Sequence, residues 1–74
     1  MVPQGFPDRL REARNRQVWS QGELADLTAG LCCRRTVQNY EGGHSAPRIG
    51  SKQLTIIASL LRMDPDELLF GKKG

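Results

Sequence analysis

Apolar residues recur along the chain at intervals of three and four positions, the spacing that places side chains on one face of an α-helix. The first such segment begins at Pro7, which suits the first turn of a helix because no hydrogen bond is lost there. Phe6, Leu10 and Ala13 share one face of this segment. The pattern predicts a first amphipathic helix over 7–16.

The polar side of this first segment is rich in arginine, at positions Arg9, Arg11, Arg14 and Arg16. We interpret most of them as a solvated face paired with Asp8 and Glu12, because exposed ion pairs of this spacing are common on helices. A contact of Arg9 or Arg11 with a nucleic-acid backbone stays open as the alternative.

Ser20 and Glu23 have the spacing of a capping box, in which each side chain accepts a backbone N–H at the start of a helix. The second helix is therefore expected to begin after Ser20 and to end before Gly30, which can adopt positive φ. Its apolar positions are Leu24, Ala25 and Leu27, followed by Thr28. A third helix is predicted over 33–41 and ends at Gly42.

After a loop over 42–50, a fourth helix is predicted over 51–62, with its main apolar stripe at Leu54, Ile57, Ala58 and Leu61. Asp64 is expected to cap a last short helix, which has Pro65 in its first turn and stops at Gly71. The sequence therefore predicts an all-α fold, a compact bundle of about five short helices. They form one domain over 6–71, with tails at 1–5 and 72–74.

Composition agrees with one folded domain, since apolar residues make up 38% and charged residues 26% of the 74 positions. This length has room for one core and none for a separate catalytic domain. Adjacent Cys32 and Cys33 cannot link distant parts of the fold, which favours a reduced intracellular protein. No run reaches the ~20 apolar residues of a membrane span, and the start lacks an apolar signal region. We therefore expect a cytoplasmic protein without a membrane partner.

The net charge of +3 is unevenly distributed. Positions 34–52 carry four bases and one acid, namely Arg34, Arg35, Arg48 and Lys52 against Glu41. Positions 53–70 carry one base and three acids, namely Arg62 against Asp64, Asp66 and Glu67. A basic zone beside an acidic one is typical of a surface that binds a polyanion.

The third predicted helix concentrates this signal, because four polar residues lie within one arc of about 140° on its helical wheel. These residues are Arg34, Arg35, Gln38 and Asn39. Cys33, Val37 and Tyr40 lie roughly opposite. A DNA major groove admits one helix, where Arg pairs with guanine and Gln or Asn with adenine. The pattern alone leaves two interpretations open, a DNA-reading helix and an ordinary solvated surface.

Four segments together resemble the Cro/CI-type (XRE) helix-turn-helix family of phage and bacterial repressors. They are 6–14 (FPDRLREAR), 19–25 (WSQGELA), 34–43 (RRTVQNYEGG) and 57–69 (IASLLRMDPDELL). The likeness extends over 6–71. It implies a central helix-turn-helix and a sequence-specific regulator of double-stranded DNA, most often a repressor, that reads the major groove with helix 33–41.

The resemblance also implies roles for single residues. Gln21 matches a position that contacts a phosphate and braces the reading helix, and Arg48 matches a phosphate-binding base. The base-reading positions are Arg34, Arg35, Gln38 and Asn39. His44 and Lys52 are further phosphate candidates in the basic zone.

Two features depart from the family pattern. The turn 28–33 is about two residues longer than the family's Gly-hydrophobic-Ser turn, which could re-aim the third helix. Cys33 lies where the family prefers a serine-type N-cap, so we expect a weaker cap there.

A second apolar strip near the C-terminus, at Ile56, Leu60, Leu69 and Phe70, fits either packing on the last helix or a surface for a homodimer on DNA. Two rival functions stay open, a protein-interaction module such as an antitoxin or adaptor, and the N-terminal DNA-binding piece of a longer repressor with a linker starting at Lys72. Cys32, Cys33 and His44 fall short of the four ligands of a zinc site. We expect core thiols, no metal, cofactor or small-molecule substrate, and no enzyme activity.

Overall fold

The computed structural model describes residues 2–71, and every regular element in that range is an α-helix. The helices are α1 (Phe6–Arg16), α2 (Gln21–Leu27), α3 (Arg34–Glu41), α4 (Lys52–Leu60) and α5 (Pro65–Phe70). The prediction of an all-α fold with five short helices is confirmed. The radius of gyration is 10.8 Å, close to the value of roughly 11 Å expected for a folded domain of this length.

Side-chain caps mark the starts of α2 and α4. The predicted capping box is confirmed, since the Glu23 N–H donates to Ser20 Oγ (3.1 Å) and the Ser20 N–H donates to Glu23 Oε1 (2.8 Å). Ser51 caps α4 in a similar way, accepting the Leu54 N–H at 3.2 Å. Asp64 is the N-cap of α5 as predicted, but its carboxylate makes no capping hydrogen bond.

Four helix boundaries differ from the prediction by one or two residues, among them the start of α4 at Lys52 rather than at Ser51. α1 begins at Phe6, because Gly5 takes the left-handed conformation (φ 82°) just before it. α4 ends at Leu60 rather than at Arg62, which itself has a φ of 59° and cannot continue a helix. α3 begins one residue after Cys33, whose extended backbone makes it the N-cap.

A single core lies between the helices. Its fully buried members include Phe6 and Leu10 of α1, Leu24 of α2 and Val37 of α3. The rings of Phe6 and Tyr40 meet edge to face with their centroids 5.9 Å apart. Trp19 is half-buried against it.

Arg9 joins the first and last helices. Its Nε donates to the Leu68 carbonyl (3.0 Å) and its Nη2 to the Leu69 carbonyl (2.6 Å), carbonyls in the last turn of α5. Such a contact suits the end of a helix, where carbonyls lack partners within the helix and attract positive charge. The guanidinium therefore acts as the C-terminal cap of α5.

Of the two predicted tails, 1–5 and 72–74, the first packs against the domain over its described residues. Val2 packs against the core, and the Phe6 N–H donates to the Pro3 carbonyl at 3.2 Å, so this stretch lies against the domain. The predicted tail 72–74, with its linker interpretation, lies outside the described residues. Across 2–71, no helix combines the length and the apolar character required to cross a membrane.

Candidate nucleic-acid interface

α3 is amphipathic in the structure. Val37 (0% exposed) and Tyr40 (7% exposed) fix its inner side in the core. Three of the four predicted base readers are exposed, namely Arg34, Arg35 and Gln38. The fourth, Asn39, is half-buried, and its backbone carbonyl accepts the His44 N–H at 2.9 Å. The structure thus gathers the four side chains on one helix, with Asn39 nearest to the protein body.

The outer face of α3 carries uncompensated positive charge. Among residues 2–71, neither Arg34 nor Arg35 forms an ion pair with a carboxylate. The single acid of α3, Glu41, is buried and takes no part in the outer face. An anion approaching this face therefore meets two guanidinium groups and no competing carboxylate.

Glu41 instead anchors α3 to α1. Arg14 forms a bidentate pair with it, from Nε to Oε2 at 2.6 Å and from Nη2 to Oε1 at 2.9 Å. The remaining nitrogen, Nη1, donates to the Trp19 carbonyl at 2.7 Å, in the connection between α1 and α2. The hydrogen bond to Glu41 raises the pKa of Arg14, so the guanidinium stays charged. The interpretation of the α1 arginines as an exposed paired face is confirmed for Arg11 and Arg16, and is wrong for Arg14.

The α1 arginines thus divide by role. Arg11 pairs with Asp8 at 3.4 Å and Arg16 with Glu12 at 3.2 Å, as the sequence predicts. Arg9 does not follow this prediction, because its guanidinium donates to carbonyls at the end of α5. No pattern in the sequence identifies the partners of Arg9 and Arg14, which lie 59 and 27 positions away.

Gln21 connects α2 to the same cluster. Its Nε2 donates to Glu41 Oε1 at 3.2 Å, so the first residue of α2 holds the last residue of α3. An amide has two N–H groups and an acceptor oxygen. Gln21 therefore keeps hydrogen-bonding capacity for a second ligand while it braces α3.

The turn between α2 and α3, residues 28–33, is closed by one hydroxyl group. Thr28 is fully buried, and its Oγ1 accepts the Cys32 N–H at 3.0 Å. The same oxygen lies 2.6 Å from the Ala25 carbonyl and 3.1 Å from the Cys32 carbonyl, which share its proton. Ala29 (φ 57°) and Gly30 (φ 89°) reverse the chain between these contacts. Residues 28–33 thus form a defined turn that leads into the start of α3.

The other phosphate candidates lie between the end of α3 and the first turn of α4. Arg48 and Lys52 are exposed, in the loop before α4 and in its first turn. His44 is exposed and folds against the end of α3, since a Cβ at Gly42 would lie 2.9 Å from His44 Cδ2. A separate open depression of about 460 Å³ lies at the start of α2 and is lined by Arg14, Ser20, Gln21, Gly22 and Arg34.

The two cysteines have opposite environments. Cys32 is buried, and burial raises the pKa of its thiol. Cys33 is exposed, and a hydrogen bond with the Thr36 hydroxyl lowers the pKa of its thiol. The placement of Cys33 on the apolar side of α3 is wrong, because its extended backbone precedes the helix and does not follow the helical wheel. Among residues 2–71, no group of three or more His, Cys, Asp and Glu side chains is placed to hold a metal ion.

The C-terminal apolar strip is divided by the structure. Leu69 is 3% exposed and belongs to the core, so it offers no surface to a second copy. Ile56 and Leu60 are half-buried against the core, whereas Phe70 is 56% exposed. Ile49, which the sequence pattern did not single out, is 59% exposed in the loop before α4.

Comparison of the chain with protein-family models, with curated proteins and with solved structures finds no match. The resemblance to the repressor family therefore rests on the sequence segments within 6–69.

Proposed function

We propose that the chain is a sequence-specific regulator that binds double-stranded DNA, with α2 and α3 acting as a helix-turn-helix. The observation that carries the proposal is the division of α3 into a buried side at Val37 and Tyr40 and an exposed side free of carboxylates. A helix that reads DNA needs both, because one side must fix it to the protein and the other must reach base edges.

α3 has the size and chemistry for the major groove. It is a helix of eight residues, and the diameter of an α-helix with its side chains, about 10–12 Å, fits the groove width of about 12 Å. Arg34 and Arg35 lie in its first turn, the part of a reading helix that usually contacts bases. Arg34 and Arg35 would pair with guanine, and Gln38 and Asn39 with adenine.

Contacts to phosphates would fix the position of α3 without reading sequence. Gln21 has an N–H group available beyond its bond to Glu41, and it shares the depression at the start of α2 with Arg34. Arg48, His44 and Lys52 would contact the backbone on the other side of α3. The resemblance gives repression as the expected outcome of binding.

A homodimer on DNA is part of the proposal, because one short helix reads few bases. Two copies related by a two-fold axis would read half-sites about 34 Å apart, one helical turn of DNA. Of the predicted dimer strip, the half-buried Ile56 and Leu60 remain as apolar surface on α4 for such a contact.

The first experiment is selection of duplexes from a random pool by the purified protein, followed by titration of the enriched site at several salt concentrations. We expect an inverted repeat bound about 10³-fold more tightly than random DNA. Failure to enrich any sequence, with weak and steeply salt-dependent binding, would overturn the proposal and leave a basic surface without sequence preference.

Arg35→Ala tests base reading directly. We expect a loss of about 1–3 kcal/mol on the selected site and a relaxed preference at one base pair, because one bidentate contact is removed. Arg62→Asn is the matched control, since it removes an exposed arginine from the turn after α4, where Asn tolerates the φ of 59°. Binding titrations on selected and random duplexes give both quantities, and an equal loss on both would exclude Arg35 as a base reader.

A second candidate function is a protein-interaction module on the same fold. The exposed side chains of Ile49 and Phe70 favour it, because exposed apolar residues that lie together commonly mark protein contacts. This alternative predicts that duplex selection fails and that a protein ligand binds near α5.

A further inference from the structure

An open groove of about 1100 Å³ lies between the loop before α4 and the last helix. Ile49 and Gly50 of the loop form one wall, Thr55 of α4 contributes to the lining, and α5 forms the other wall. We propose that this groove binds a basic peptide segment of another protein, anchored by one apolar side chain between Ile49 and Phe70. The proposal is independent of DNA reading by α3.

The anchor site follows from exposure. Ile49 is 59% exposed and Phe70 56% exposed, and both line the same groove. Phe70 is the last residue of α5, directly after the buried Leu68 and Leu69. An aromatic and a branched aliphatic side chain facing one groove offer a contact that a Leu, Trp or Phe of a ligand would bury.

The charge of the groove selects a cationic ligand. Within the described residues 2–71, its lining includes Asp64, Asp66 and Glu67 but no Lys, Arg or His, although the whole chain has a net charge of +3. Asp66 and Glu67 also stabilise the first turn of α5, which accounts for acids there. Asp64 makes no capping hydrogen bond, so its carboxylate remains open to an incoming Lys or Arg.

The same charges disfavour a second copy of this chain in the groove. A two-fold contact through Phe70 would bring the acids of α5 in one copy close to the acids of the other, and like charges in contact are unfavourable. A contact through the basic face of α3 would match the charge but would bring only polar side chains, such as Arg35 and Gln38, to the apolar anchor site. A segment of another protein that carries both basic side chains and an apolar anchor fits the groove better than a second copy of this chain.

The test uses the whole chain labelled with ¹⁵N and a short synthetic peptide of Lys, Leu and Trp. We expect amide shifts concentrated at Ile49, Gly50 and the α5 residues, with binding that weakens as salt increases. One control peptide has Glu in place of Lys, and another has Ser in place of Leu and Trp. Comparable binding of either control would overturn the proposal, because it would show that charge or apolar contact is not required.

Matched variants separate the groove from general surface properties. Phe70→Ser should weaken peptide binding about tenfold or more, whereas Val18→Asn, which removes an 84% exposed apolar residue elsewhere, should leave it unchanged. Asp66→Asn should weaken it, whereas Asp26→Asn, at an exposed acid of α2, should not. Circular dichroism checks the fold of each variant. Equal effects within either pair, or concentration-dependent self-association abolished by Phe70→Ser, would contradict the proposal.

Discussion

Both oxygens of the Glu41 carboxylate accept hydrogen bonds at the end of α3, from Arg14 of α1 and from Gln21 of α2. The side chains of Arg14 and Glu41 are only 11% and 5% exposed. For a pair buried to this degree, removing one partner costs more free energy of unfolding than the intact pair contributes, because a buried charge is left without compensation. The pair therefore controls how firmly α3 is held.

We expect Glu41→Gln to lower the free energy of unfolding by about 3 kcal/mol, measured by urea denaturation. Glu12→Gln is the matched control, because Glu12 forms an exposed pair with Arg16 and exposed pairs contribute about 0–1 kcal/mol. Similar losses in the two variants would show that the Glu41 carboxylate has no special structural role.

Stability should fall at alkaline pH through two buried groups. Burial raises the pKa of the Cys32 thiol above its ordinary value of 9.0 and that of the Tyr40 phenol above 10.0. The folded state therefore keeps protons that the unfolded chain loses. This stabilisation is fully present below the unfolded pKa values and is lost as pH rises through the folded ones.

We therefore expect the free energy of unfolding to decrease from about pH 9 upward, in urea titrations at a series of pH values under reducing conditions. Tyr40→Phe should flatten the decrease above pH 10, and Cys32→Ala should flatten its onset. If both variants show the same dependence of the free energy of unfolding on pH as the parent protein, the alkaline effect belongs to other groups.

At the scale of elements, local signals in the sequence predict helix starts well. The capping box at Ser20 and the Asp64-Pro65 start of α5 are both found at the predicted positions. These signals act within one turn of backbone, so a short stretch of sequence contains all the information.

The orientation of side chains near helix ends is harder to predict. The sequence predicts Leu27 as an apolar position of α2, but its side chain is 43% exposed, while Thr28 is fully buried. With Leu24 and Ala25 both buried, the centre of the buried face falls near Thr28, about 100° from Leu27. α2 has only seven residues, so the pattern is too short to fix this centre from sequence.

The N-cap of α3 provides a test at this scale. Cys33 occupies the cap position without a side-chain capping hydrogen bond. We expect Cys33→Ser to raise the free energy of unfolding by about 0.5–1 kcal/mol, because a serine oxygen accepts the free N–H groups of the first turn. Thermal unfolding measures the change, and Cys33→Ala, which has no acceptor, serves as the control. A serine variant no more stable than the alanine variant would show that this cap position does not limit α3.

At the scale of the whole molecule, the fold class could be predicted from the sequence, whereas the contacts that hold the helices together could not. Arg14 and Glu41 lie 27 positions apart, and Arg9 and Leu68 lie 59 apart. Helical periodicity describes which face of a segment is buried and carries no information about which distant segment it meets. On the helical wheel Glu41 lies only about 20° from Arg34, so the fold was needed to show that its carboxylate is buried and leaves the outer face of α3 without an acid.

The overall charge distribution predicts how the proposed DNA binding responds to salt. Arg48→Ala should weaken binding to selected and random duplexes alike and lower the slope of log affinity against log salt by about one unit, because one phosphate contact is lost. Titrations at several salt concentrations measure the slope. Arg16→Ala, at an exposed arginine of α1, is the control, and an unchanged slope for Arg48→Ala would remove Arg48 from the phosphate contacts.

The Arg9 guanidinium also brings two distant parts of the backbone together. A Cβ at Gly5 would lie 2.5 Å from its Nη1, and a Cβ at Gly71 would lie 3.1 Å from the same atom. The first residue before α1 and the first after α5 thus meet at one side chain. A short peptide could therefore link position 5 to position 71. In such a circular permutant, new termini could be opened in an exposed loop such as 42–45 without breaking a helix.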